Sequence, residues 1–234
     1  MAKSSGASPP ERKGVAPLTS SAPLGLQGAY LSGDRAAQDE LRAKLLDVAN
    51  HLLLTIGPES LSMRRIAAEA GCSTTVIYTM FGSKEGLAEA LYLEGFERFR
   101  RRLEAVPAHP DSLERLTALG TAYREAALAE PGYYSLMFER AIPGFTPSER
   151  ARTLARAALN IFDRVIADCI SAGQLVPTQP RRIADVLWSA AQGAISLERA
   201  GHLRDGSAFD AATRAIIHRY LATGTGRPDP PGTV

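Results

Sequence analysis

From Ala36 to Ile56 apolar residues fall at Leu41, Leu45, Val48, Ala49, Leu52, Leu53 and Ile56, steps of three and four that place one apolar stripe on a helix. Gly57-Pro58 ends that pattern. Ser62 then offers a hydroxyl as N-cap to a short helix over 63–70 that stops at Gly71. Ser73 caps a second over 74–81 that stops at Gly82, and Ser83 caps a third that runs to Glu104. The first two are too short to hold alone and must lean on longer neighbours. Pro107 to Pro110 breaks the chain, and beyond it the pattern predicts helices over 111–129, 132–140, 147–172, 181–199 and 209–222, separated by Pro131, Pro143-Gly144, Pro177, Pro180 and Gly201. The 147–172 helix is the most regular, with Leu154, Ala158, Ile161, Phe162, Val165, Cys169 and Ile170 on one side, and is expected to be the central strut of a bundle.

No segment alternates as a strand does, so the expected fold is all-α, with a small N-terminal domain over 35–104 and a larger helical domain over 105–222. Residues 1–34 are rich in Ser, Pro, Gly and Ala, and residues 223–234 in Thr, Pro and Gly. They have too little apolar area to offset the entropy of ordering them, and are expected to be disordered tails.

Composition narrows the function classes. With 45% hydrophobic residues and a formal charge of +2 over 234 residues, the body of the chain folds. A charge so near zero neither demands nor excludes a nucleic-acid partner, because clustering on one face is what matters. Two cysteines, Cys72 and Cys169, form no CxxC pair and support no disulfide framework. Nothing cationic adjoins Cys72 in sequence to lower its pKa and make it a redox sensor. His51, His109, His202 and His218 are scattered, so neither a metal site nor a cofactor is expected. The chain lacks G-x-S-x-G, a phosphate-binding glycine loop and a dinucleotide fingerprint, and no enzymatic activity is expected. It also lacks a signal-peptide core and any run of about 18 apolar residues, which points to a cytoplasmic protein with no membrane span.

Residues 61–85, LSMRRIAAEAGCSTTVIYTMFGSKE, carry the chemistry. Two short helices joined by a tight turn at Gly71 are what a helix-turn-helix requires, although αα-hairpins with no DNA role have the same outline. Ile66, Ala67, Ala70, Ile77 and Phe81 should face the core, which leaves Thr74, Thr75, Tyr78 and Thr79 outward. Hydroxyls can address base edges or phosphates, and a Thr methyl can meet thymine. Arg64, Arg65 and Lys84 flank that face and can neutralise phosphates, and the helix N-termini at Ser62 and Ser83 favour the same anions.

The stretch from Leu45 through Leu91 resembles the DNA-binding domain of the TetR family of transcriptional regulators. The matching features are a long first helix, Gly57, Ser62, Ile66-Ala67, Ala70-Gly71, Ser73, Ile77-Tyr78, Phe81, Ser83-Lys84-Glu85 and Leu87. The resemblance implies that Tyr78 and Lys84 contact phosphates, that Ser62 and Arg64 touch the backbone, and that Thr74, Thr75, Val76 and Thr79 read bases, with Arg65 and Ser73 beside them. The family more often has a basic residue at position 74, a small one at 75 and His at 79, and a Pro where Gly82 stands, so the operator sequence does not follow.

The resemblance further implies a homodimeric repressor on palindromic double-stranded DNA, released by a small-molecule effector. The last two helices, near 181–199 and 209–222, would pair between subunits. Their face of Ile183, Leu187, Ala190, Ala191, Ile195, Ile216, Ile217 and Leu221 suits a dimer interface or burial within one subunit. Trp188 to Gly193 resembles a Trp-x-x-x-His-Gly signature of one group of TetR-like C-terminal domains, with Gln192 in place of His.

Tyr123, Tyr133, Tyr134, Phe138, Phe162 and Trp188 are candidate ligand contacts for an apolar or aromatic effector, with Gln192 and Arg140 as polar anchors. Each aromatic taken singly is more readily explained as core filling, because small bundles need aromatic residues inside. From Arg35 to Glu104 ten basic residues balance ten acidic ones, and 61–85 holds only a slight basic excess. That balance keeps open a ligand-binding or scaffold protein of the same fold that has lost sequence-specific DNA binding. Lys3, Arg12 and Lys13 in the first tail could add phosphate contacts or remain idle in solvent.

Overall fold

The computed structural model describes residues 35–58 and 61–222, and both tails, with Lys3, Arg12 and Lys13, lie outside the described residues. Over them the chain forms nine α-helices: α1 (Arg35–Ile56), α2 (Met63–Ala70), α3 (Thr74–Phe81), α4 (Lys84–Glu104), α5 (Ser112–Ala129), α6 (Pro131–Phe138), α7 (Glu149–Ser171), α8 (Pro180–Arg199) and α9 (Ser207–Tyr220). The fold is all-α. None of these helices is long and apolar enough to cross a membrane.

Local chemistry sets most of the boundaries. The Ser62 hydroxyl accepts from the Arg65 N–H at 3.4 Å, and the Ser83 hydroxyl from the Gly86 N–H at 3.1 Å, each satisfying an otherwise orphaned first-turn donor. At the other end of α2, Gly71 adopts φ 68°, the left-handed conformation that closes a helix cheaply only without a Cβ. Ser73 departs from expectation: it has extended N-cap backbone but its hydroxyl makes no capping bond. The start of α3 is held instead by burial of Val76, Ile77 and Phe81 beneath it. Helix α6 ends at Phe138, two residues short of the expected limit, because Arg140 turns the chain with φ 54°. Helix α9 stops at Tyr220, where Leu221 leaves to pair with Leu175 in an isolated antiparallel bridge.

Two large clusters of buried side chains form the interior. The first fills the space between α1, α2, α3 and the start of α4, with Leu45, Leu46, Ile66, Ile77, Leu87 and Leu91 fully buried. The second joins the end of α4 to α5, α7 and α8, and α7 packs against α4, α5 and α8 as the central strut. Packing does not divide where the prolines break the chain. Helix α4 contributes Leu87 and Leu91 to one cluster and Phe99 and Leu103 to the other, while α6 sends Tyr133 into the first and Tyr134 into the second.

Candidate functional site

Helices α2 and α3 form the helix-turn-helix, and burial fixes which side chains it shows to solvent. Ile66, Ala67, Ala70, Ile77 and Phe81 all point into the first cluster. Thr74, Thr75, Tyr78 and Thr79 are exposed on α3, Tyr78 by 54%. Val76 corrects the expectation from sequence: only 2% of its surface is accessible, so it forms part of the floor of α3 and cannot meet a base. The cause is the small size of the helix, which is wedged against α2 and α4 and buries two adjacent positions instead of one stripe. Ser73 is half-buried at the turn.

The exposed hydroxyls are not equivalent. The Thr79 hydroxyl donates to the Thr75 carbonyl at 2.8 Å, which leaves its methyl and its acceptor lone pairs for a partner. Those of Thr74 and Thr75 have no partner among the described residues. Ser62, Arg64, Arg65 and Lys84 are exposed around this face, and none of the three cations forms an ion pair among the described residues. The acidic and basic residues that balance one another lie elsewhere: Arg98, Arg100 and Arg101 pair with Glu94, Glu97 and Glu104 along the far half of α4. Within the helix-turn-helix segment exposed Glu69 and Glu85 stand against these three cations, so the positive excess there is slight.

The relative placement of α3 and α4 rests on Gly86. A Cβ there would lie 2.0 Å from the Phe81 carbonyl oxygen, a backbone atom that cannot swing away. Gly86→Ala is expected to force α4 off the end of α3 and to cost about 1–3 kcal/mol or more, as overpacking does. Urea unfolding measures this; an unchanged midpoint would show that the junction yields freely.

A cavity of about 290 Å³ opens among α5, α7, α8 and α9. Of the eight residues expected to contact or anchor a ligand, Tyr123, Phe162 and Trp188 line it. Tyr134, Phe138 and Gln192 stand behind that wall. Tyr134 donates its O–H to Gln192 Oε1, the Trp188 indole N–H donates to the Tyr123 hydroxyl at 3.0 Å, and the Phe138 ring lies 6.2 Å from that of Tyr123 and 6.0 Å from that of Trp188. Burial raises the Tyr123 phenol far above its ordinary pKa and pushes that of Tyr134 up to about 12, so both remain neutral hydrogen-bonding groups.

Tyr133 does not take the place expected from sequence, and neither does Arg140, which is exposed. Tyr133 leaves the cavity side altogether and donates to Asp47 Oδ1 of α1 at 3.2 Å, with the Arg98 guanidinium 4.7 Å over its ring and 2.6 Å from the same Asp47. Neighbours on a helix diverge by about 100°, so adjacent tyrosines serve opposite sides.

The residues missed in the sequence include Leu116, Thr117, Phe209 and above all Asp163, which line the cavity. A signal for Asp163 existed. It follows Leu159 by four positions and precedes Ile166 by three, so a carboxylate interrupts an apolar stripe of α7.

The face expected to pair subunits also needs correction. Ile183, Ala191 and Ile195 are buried against the chain's own second cluster. What α8 leaves open is a stripe that shares only Ala190 with that face, running through Val186 (40% exposed), half-buried Ala190, Gly193 and Leu197 (47% exposed), while α9 fully buries only Phe209. Cys72 is half-buried at the turn after α2 and burial pushes its thiol up, which works against a reactive thiolate.

Known proteins share this arrangement. Residues 45–91 match the family of bacterial regulatory proteins, tetR family, and residues 116–223 match the Tetracyclin repressor-like, C-terminal domain. The chain is 26% identical over 220 residues to the HTH-type transcriptional regulator Rv1816 of Mycobacterium tuberculosis, covering 78% of this chain and 93% of that one, and equally to Mb1846 of Mycobacterium bovis. Among solved structures, a protein of unknown function from Rhodococcus sp. RHA1 is 29% identical with a TM-score of 0.66, covering 78% of this chain and 95% of its own. A putative tetR family transcription regulator from Shewanella sp. PV-4 shares the fold at 20% identity and a TM-score of 0.63, covering 78% and 98%. With both the DNA-binding and the C-terminal parts matched, the chain belongs to the TetR family of bacterial transcriptional regulators.

Proposed function

We propose that the protein is a homodimeric repressor that binds a palindromic operator and is released by a small apolar or aromatic ligand held in the cavity among α5, α7, α8 and α9. The observation that carries the DNA reading is the exposed face of α3, Thr74, Thr75, Tyr78 and Thr79, set between the cations Arg64, Arg65 and Lys84. Hydroxyls and methyls in the centre suit base edges, and cations at the margins suit phosphates. Two such helices about 34–36 Å apart would enter successive major grooves.

Dimerisation is assigned to the open stripe Val186, Ala190, Gly193 and Leu197 of α8 together with α9. Small residues in that stripe allow close approach of a second copy. Release is assigned to α6. Its Tyr134 touches the wall of the cavity through the Tyr123 ring, 6.5 Å away between centroids, and the neighbouring Tyr133 grips Asp47 in the helix that supports α2. A ligand that moves α6 would thus change where α1 holds the recognition helix, favouring dimers with the wrong spacing.

The test separates the two kinds of contact. Tyr78→Phe combined with Lys84→Ala is expected to weaken binding to every duplex and to reduce the salt slope by about 1 for each phosphate that is no longer neutralised. Thr75→Ala is expected to relax preference at one base position by about 1–3 kcal/mol and leave the salt slope unchanged. Binding titrations across salt concentrations on operator and scrambled duplexes read both, and identical behaviour of the variants would overturn this sorting of contacts.

A further inference from the structure

The cavity wall holds a carboxylate that its neighbours meet at one oxygen only. Asp163 lines the cavity, and its side chain is only 24% exposed. Its Oδ2 lies 3.5 Å from Arg181 Nη1, while its Oδ1 is buried with no hydrogen-bond partner among the described residues. A buried acceptor in that condition is costly, and a donor placed against it recovers the lost hydrogen bond.

Arg181 has little left to give. Its Nε already lies 2.8 Å from Asp185 Oδ1 in an ion pair, so one guanidinium is shared between two carboxylates. Of the charged residues lining the cavity, Arg181, Asp185, Asp210 and Arg214 are exposed to solvent, and Asp163 alone is half-buried. Thr117, Thr121 and Thr213 add hydroxyls, and the rest of the wall is apolar, with the rings of Tyr123, Phe162, Trp188 and Phe209 among its lining; a ring face attracts a cation and repels an anion. At about 290 Å³ the cavity is about twice the size of one that takes benzene, which suits a single ring with a short chain.

We propose that the cavity takes an apolar, ring-sized molecule carrying a protonated amine, with the amine pairing with the Asp163 carboxylate and the apolar body resting on the aromatic wall. This rests on the reading of the cavity as the effector site and adds the chemical class of the effector.

The chain has a single tryptophan, Trp188, and it lines the cavity, so its fluorescence reports occupancy. The full chain is titrated near neutral pH with three probes of the same size, phenylbutylamine, phenylbutanol and phenylbutyrate. The expected result is a saturable change in which the amine binds about tenfold or more tighter than the carboxylate, with the alcohol between them. Asp163→Asn, which keeps the shape and removes the charge, is expected to abolish the preference. Equal affinity for all three probes, or a preference that survives Asp163→Asn, overturns the amine anchor and leaves the cavity as an effector site. No response of Trp188 to any probe overturns both. If Asp163→Asn does not fold, the comparison of the three probes on the unaltered chain decides by itself.

Discussion

Replacing Tyr123 by alanine is expected to remove about 3–5 kcal/mol of stability, the usual range for deleting a buried aromatic ring. The ring is buried at the meeting point of the second cluster, with centroids 5.1 Å from Phe99, 6.1 Å from Phe162, 6.2 Å from Phe138 and 6.5 Å from Tyr134. It also forms part of the cavity wall, so its removal would open into space that already exists and leave four rings without a packing partner at once. Collapse around the gap cannot compensate when the gap joins a cavity.

Tyr123→Phe isolates the hydroxyl. It leaves the Trp188 indole N–H without its acceptor, a penalty of about 1–3 kcal/mol. Urea unfolding followed by Trp188 fluorescence measures both variants. A clear gap between them is expected; equal costs would mean that the hydroxyl, not the packed ring, holds this part of the chain together.

Ile77→Ala is expected to cost about 2–5 kcal/mol and to abolish DNA binding with it. Ile77 is fully buried beneath an eight-residue helix that has no side-chain cap, so packing from below is what keeps α3 helical. The next residue makes the natural control. Tyr78 is exposed and its side chain holds no hydrogen bond among the described residues, so Tyr78→Ala should leave stability within about 0.5 kcal/mol while weakening DNA binding. Unfolding curves and DNA titrations on the two variants thus divide fold from function at adjacent positions. Loss of stability in Tyr78→Ala comparable to that of Ile77→Ala would contradict the assignment of faces.

Much of the scaffold could be read in the sequence because short-range chemistry sets it. Ser62 and Ser83 cap as their positions predict, Gly71 closes α2, and the apolar steps of α1 and α7 are long enough to define a face without ambiguity. Where periodicity has only two turns to work with, it fails. In α3 it named only Ile77 and Phe81 as core, and the resemblance set Val76 among the base readers, although a helix pressed between two neighbours buries more than one stripe. Helix α6 is the same problem with larger consequences, since it is touched on both sides. Nothing in the order Tyr133-Tyr134 says which ring goes to Asp47 and which to the cavity wall.

On α8 the apolar period was legible but not its partner: Ile183 and Ile195 meet the chain's own α5, α7 and α9 side of the core, and the stripe left for a second copy is the weaker one through Val186 and Leu197. Charge was misleading for a similar reason. A sum over 35–104 cannot distinguish arginines that pair along α4 from those left open beside α3, because that distinction is one of placement.

Everything said of function depends on the open face of α3 reading DNA. The decisive experiment selects bound duplexes from a random pool with the purified full chain at near-physiological salt and sequences them. Enrichment of an inverted repeat is expected, with half-sites spaced by about one helical turn or somewhat more. A folded, dimeric protein that enriches no sequence would contradict this reading, and would leave a ligand-binding protein that has kept the fold without the recognition.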